Sequence, residues 1–213
     1  MSGAAQSATD SLVATRPVRS AVPVVLLVGT SLTAGLGLDP SDAYPAVLQR
    51  MADSAGYGVR IVNAGLSGET SAGALRRLAW LLREEADLVM IETGANDGLR
   101  GLDVDSTRAN LVAIVRTVKR VLPRASVLLV QMEAPPNLGE EYTRRFRESY
   151  PAVARSEGID LVPFLLDGVA GVPRLNQRDG IHPTAEGAKR VARNVWGVLA
   201  PHLARLAKGA TSG

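Results

Sequence analysis

The 213 residues are enough for one domain with a substantial core. A net charge of +3 and an aromatic fraction of 4% provide neither the one-signed stripe nor the stacking rings that nucleic-acid binding needs, so no nucleic-acid partner is expected. Cysteine is absent, which excludes disulfides, thiolate metal sites and a cysteine nucleophile, and two histidines, His182 and His202, leave little for a zinc site.

Along the chain, residues 1–21 are polar, contain Asp10 and lack the apolar middle of an export signal. They are expected to form a disordered tail, and the setting to be cytoplasmic. The next stretch, AVPVVLLV, is far too short for a membrane span, so no stable membrane insertion is expected. It opens the first of five predicted strands, at 22–28, 59–63, 88–92, 127–132 and 159–163. These runs are continuous and rich in Val, Ile and Leu, which suits a parallel sheet covered on both faces. Helical patterns fill the intervals. DAYPAVLQRMADSAG ends at Gly56, a suitable C-terminal cap. SAGALRRLAWLLREE carries Leu75, Leu78 and Leu82. STRANLVAIVRTVKRVLP repeats Leu111, Ile114, Val115 and Val118 and stops at Pro123. EEYTRRFRESYPAVARSEG and AEGAKRVARNVWGVLAPHLARL complete the set. Strand alternating with helix predicts a single α/β domain over 22–206, with a flexible tail over 207–213.

In such sheets ligands bind beyond the carboxyl ends of the strands. The loops at strand starts are plain, whereas those after strands read GTSLTAG, AGLSGET, TGANDG, EAPPN and, further on, NQRDGIHPT. Ser31 closes the first strand and is a candidate nucleophile. Asp179 and His182 stand three apart on a turn made by Gly180, where a carboxylate can fix the tautomer of an imidazole that takes a proton. The alternative is a carboxylate and an imidazole that only cap a turn and a helix. The backbone of Gly68 and the carboxamide of Asn96 are candidate donors to an oxyanion.

These blocks, in this order, resemble the SGNH (GDSL-type) hydrolase family, and most closely its bacterial thioesterase/lysophospholipase/arylesterase subgroup. GTSLTAG is similar to the block carrying the serine, LSGET to the glycine block, GANDG to the asparagine block and DGIHPT to the Asp-x-x-His block. The resemblance runs from about residue 24 to 199. It implies a three-layer α/β/α sandwich around a five-stranded parallel sheet. It also implies a catalytic triad of Ser31, Asp179 and His182, with an oxyanion hole made by the amides of Ser31 and Gly68 and the side chain of Asn96. The implied activity is that of a serine esterase working through an acyl-serine, with no metal or cofactor. Its substrates would be small-molecule short- to medium-chain acyl or aryl esters, or thioesters or lysophospholipids. One position departs from the pattern: Thr30 stands where the family usually has aspartate, keeping a hydroxyl but no carboxylate. Thr33 replaces the second glycine of G-x-S-x-G, which argues against the ordinary α/β-hydrolase fold.

Two other readings compete. An acetylesterase acting on O-acetylated carbohydrate would use the same site. A flavodoxin-like phosphate- or flavin-binding module would use the hydroxyl-rich first loop, leaving Asn96, Asp179 and His182 unexplained. The acyl pocket is expected from residues 36–38, Tyr44, 99–102, 135–138 and 169–175. Asp97 is expected to brace the Asn96 loop, and His202 to lie at the surface. Glu92 and Glu133, near strand ends, read as satisfied structural acids, with the pocket edge as the alternative for Glu133, and the oligomeric state is not legible.

Overall fold

Five short runs of Val, Ile, Leu and Met pair side by side in one parallel sheet. In the computed structural model, which describes residues 22–210, they are β1 (Val24–Gly29), β2 (Arg60–Gly65), β3 (Leu88–Ile91), β4 (Ser126–Val130) and β5 (Asp160–Val162). The tail expected over 1–21 and residues 211–213 lie outside the described residues. Strand order is β2-β1-β3-β4-β5. Every residue of β1 and β3 is buried, as continuous apolar runs require when both faces are covered. Edge strand β2 is only partly covered.

Among the described residues seven α-helices flank the sheet, six between strands and one after the last: α1 (Ser31–Ala34), α2 (Tyr44–Ser54), α3 (Ser71–Leu81), α4 (Ala95–Leu99), α5 (Val104–Val121), α6 (Glu140–Glu157) and α7 (Ala185–Ala210). Helices α2 and α7 pack together on one face, and α3, α5 and α6 form the other layer. The expected three-layer α/β/α sandwich is the observed fold. Local signals set the helix ends. Pro45 opens α2, and Gly56 follows its last turn with φ +73° and its amide on Asp53 O at 3.0 Å. The Asp103 carboxylate accepts from Ser106 N at 2.7 Å and caps α5, whose Leu111, Ile114, Val115 and Val118 are fully buried. Helix α7 continues through Ala210, past the expected domain boundary at residue 206.

His202, expected at the surface, is instead buried on the side of α7 that covers β5. Its Nε2 meets Asp160 Oδ2 at 2.9 Å, and Arg205 Nη2 donates to its Nδ1 at 2.8 Å. Burial pushes its pKa down.

The register aligns Gly29 with Gly65 and Val28 with Ile91, so the carboxyl ends of β1, β2 and β3 share one edge. From β1 the chain first crosses to β2 on one side, then to β3 on the other. The ends of β1 and β3 therefore flank the point where the winding reverses, the crevice in which open α/β sheets place ligands.

Candidate active site

The chain leaves β1 through Gly29 and Thr30 and enters the single turn of α1 with Ser31 as its first residue. Glycine is required before the turn. A Cβ on Gly29 would stand 2.0 Å from Thr33 Oγ1 and 2.7 Å from Glu92 Oε2, and one on Gly65 would stand 2.2 Å from Ala34 N. Helix α1 thus sits directly on the ends of β1 and β2.

Beneath this turn lies a carboxyl whose partners sequence reasoning did not name. Glu92, at the end of β3, is fully buried. Thr30 donates to it twice, through N–H to Oε2 at 2.8 Å and through Oγ1 to Oε1 at 3.0 Å. Thr33 Oγ1 donates to Oε2 at 2.8 Å and meets the Tyr44 hydroxyl at 2.7 Å. The position that lacks the family's carboxylate is therefore fastened to one supplied by the neighbouring strand. Tyr44, expected in the pocket, lines the crevice at Ser31 with its buried ring and places its hydroxyl in this network. Burial pushes the Glu92 carboxyl up to about 7, while bonds from Thr30 and Thr33 pull it down. Burial and then the Glu92 charge raise the Tyr44 phenol.

The native pKa of Glu92 lies above its ordinary 4.5, so the native state holds the proton more tightly than the unfolded chain. The contribution is greatest below pH 4.5 and is lost as pH rises through about 7. The swing is ~3 kcal/mol at 1.36 kcal/mol per pH unit. Glu92→Gln is expected to remove this dependence. Urea midpoints of parent and variant at pH 4.5 and pH 7.5 check it: parallel shifts in the two proteins would contradict it.

Ser31 is 9% exposed, and its Oγ lies 2.9 Å from His182 Nε2. His182 Nδ1 lies 2.6 Å from Asp179 Oδ2. With the proton on Nδ1, His182 donates to Asp179 and leaves Nε2 to accept from the serine hydroxyl. Asp179 is positioned by its own turn, accepting at Oδ1 from Ile181 N at 2.9 Å and from His182 N at 3.0 Å, with Gly180 at φ +72°. The bonds from His182 and Ile181 hold its carboxyl down at about 2. Ser31, Asp179 and His182 are thus brought together as one bonded line.

Gln177, which sequence reasoning missed, joins this turn to the serine's loop. Its Nε2 donates to Leu36 O at 2.7 Å and Pro183 O at 2.9 Å, and its amide donates to His182 O at 2.7 Å.

Gly68 and Asn96 stand on the same edge. Gly68 has φ +76°, a conformation suited to glycine. Among the described residues, neither the Ser31 N–H nor the Gly68 N–H has an acceptor. Two adjacent loops so present unclaimed donors. Asn96 Nδ2 donates to Glu69 O at 3.0 Å, which ties its loop to the one carrying Gly68 and leaves one carboxamide hydrogen over. Asp97 braces the same pair of loops, as expected. It accepts from Ser71 N at 2.8 Å and from Ser71 Oγ at 2.5 Å, with Thr107 Oγ1 at 3.3 Å.

The surroundings are apolar. Leu32, Leu36, Leu38, Tyr44, Pro183 and Val191 line a crevice at Ser31 and His182. Leu36, Leu66, Leu99, Leu102 and Ile181, all in loops or the short helix on this edge, are among the large hydrophobic side chains exposed to solvent. Val169 and Leu175, expected in the pocket, belong to the core instead. Glu133 stands half-buried, 3.6 Å from Arg147. Among the described residues no helix is long and apolar enough to cross a membrane.

Known proteins resemble this chain along most of its length. The model of the GDSL-like Lipase/Acylhydrolase family matches residues 27–190. Esterase TesA of Pseudomonas aeruginosa is 45% identical over 186 residues, covering 87% of this chain and 92% of that protein. Thioesterase 1/protease 1/lysophospholipase L1 of Escherichia coli K12 is 36% identical over 174 residues, 81% of each chain. The crystal structure of AlinE4, an SGNH-hydrolase family esterase, superposes with a TM-score of 0.72 at 40% identity, covering 87% of this chain and 99% of that one.

Proposed function

The chain belongs to the GDSL-like lipase/acylhydrolase family and is a carboxylic ester hydrolase of the SGNH type, and from that premise we propose that Ser31, His182 and Asp179 carry the reaction on short- to medium-chain acyl or aryl esters. The observation that carries the assignment is the line from Ser31 Oγ through His182 to Asp179 Oδ2, at 2.9 and 2.6 Å.

In this reading Ser31 Oγ attacks the ester carbonyl carbon as His182 Nε2 takes its proton, and Asp179 stabilises the imidazolium. The carbonyl oxygen becomes an oxyanion facing the amides of Ser31 and Gly68 and the carboxamide of Asn96. Collapse expels the alcohol, which leaves with the proton from His182. Water, deprotonated by His182, then attacks the acyl-serine; the acid departs and Ser31 recovers its proton. The exposed leucines around the mouth suit an apolar acyl chain. Thioesters and lysophospholipids fall within the same reading, in line with the names of the Escherichia coli relative. The acetylated-carbohydrate and flavodoxin-like readings are not favoured: neither draws on that apolar rim, and the second leaves the bonded line idle.

The test is covalent trapping. A p-nitrophenyl alkylphosphonate is expected to abolish hydrolysis of p-nitrophenyl butyrate with release of one equivalent of nitrophenol. Peptide mass analysis should place the phosphonyl group on Ser31. Label on Ser67, or inactivation without label, would sink the assignment.

A further inference from the structure

The cleft beside Gly68 holds positive charge that the ester chemistry at Ser31 does not consume. It is shallow and open to solvent, with a volume of about 470 Å³, and is bordered by Ser67, Gly68, Glu69, Arg76, Arg77 and Arg100. Arg77 is committed to the fold: its Nε donates to both oxygens of Glu69, at 2.7 and 2.8 Å, and its Nη2 to Ala64 O at 2.8 Å. That pair uses the one carboxylate on the cleft wall. Arg76 and Arg100 are exposed, and among the described residues neither faces an acid. Arg100 Nη2 donates to the neutral carbonyl of Gly68 at 3.0 Å, and the Ser67 side chain is exposed beside it. Two uncompensated guanidinium groups therefore border a cleft that begins at a proposed oxyanion donor.

We infer that this cleft is an anion subsite, taking a phosphate carried on the alcohol or thiol half of the substrate. The inference rests on the reading that Ser31 is the nucleophile and Gly68 an oxyanion donor. A hydrocarbon chain gains nothing from unpaired cations and has the exposed leucines of the same edge, Leu36, Leu99 and Leu102, instead. A phosphate offers several acceptor oxygens to the planar donor fork of arginine. An ester whose leaving group ends in phosphate would be held at both ends, by apolar contact along the chain and by charge at the phosphate. The phosphate can come from a lipid headgroup or from a nucleotide-linked thiol, and the subsite chemistry is shared by both.

Two matched pairs of substrates test this. One is 1-octanoylglycerol 3-phosphate against 1-octanoylglycerol; the other is octanoyl-coenzyme A against octanoyl-N-acetylcysteamine. Arg76→Ala is expected to lower kcat/KM for the phosphate-bearing member about three- to fivefold, through KM, as an exposed ion pair would. Arg76→Glu should lower it about tenfold, and added salt should erode the difference. The neutral members should be unchanged. A loss confined to the glycerol pair points to a headgroup, and one confined to the thiol pair to a nucleotide-linked thioester. Equal effects on charged and neutral members in both pairs, or no effect, overturn the subsite. Undiminished turnover by Ser31→Ala would instead overturn the underlying reading and the subsite with it.

Discussion

Ser31→Ala is expected to lower kcat/KM for p-nitrophenyl butyrate by roughly 10⁴- to 10⁶-fold, the range for removing a triad nucleophile. The remainder is what oxyanion donors and binding supply on their own. The protein should stay folded, because the substitution removes one hydroxyl whose hydrogen bond goes to His182 at 2.9 Å. A neutral bond of that kind contributes about 1 kcal/mol to stability. His182→Ala should cost nearly as much in rate, and the double variant little more than either alone, since the groups act as a unit. Steady-state kinetics beside thermal melts decide the matter: an alanine variant within tenfold of the parent would make Ser31 only a turn residue.

Asn96→Ala is expected to reduce kcat by about 10²- to 10³-fold with little change in KM, because its carboxamide would be used mainly as negative charge gathers on the carbonyl oxygen. The same group also donates to Glu69 O, so the variant frees a loop contact as well as a donor. Melting temperature separates the two consequences. Asp97, anchored on Ser71, keeps the loop in place without the Asn96 bond, so the melt should move little while the rate collapses. A fall in rate matched by a large loss of stability would mean that Asn96 serves the fold.

The central strands were legible because burial on both faces demands unbroken apolar sequence, and β1, β3 and β4 have it. Their ends lie within one or two residues of expectation. Helices α1 and α4 were not legible. Each is a single turn with no room for a periodic face, and α1 is set by the close approach of Ala34 to Gly65. Within the site, Ser31, Asp179 and His182 could be proposed because each block carries local turn chemistry. Glu92 could not, because its partners are 59 and 62 residues away in sequence and its position reads only as the end of an apolar strand. The available signal was Thr30 itself: a hydroxyl in place of a carboxylate asks where the charge has gone. His202 misled because helix spacing alone did not tell which side of α7 meets β5, and Asp160 supplies the partner that lets an imidazole be buried there.

The turn holding Asp179 and His182 is joined to the serine's loop by the side-chain amide of Gln177, which reaches Leu36, and by the Ser31–His182 bond itself. The sheet does not depend on those contacts. Proteins open locally, in units smaller than the whole fold, at a lower free-energy cost than global unfolding. When this segment lifts, the imidazole leaves the hydroxyl while every strand stays paired. Such a molecule is native by any measure of secondary structure and chemically silent. Warming or mild denaturant is therefore expected to quench turnover before the sheet melts.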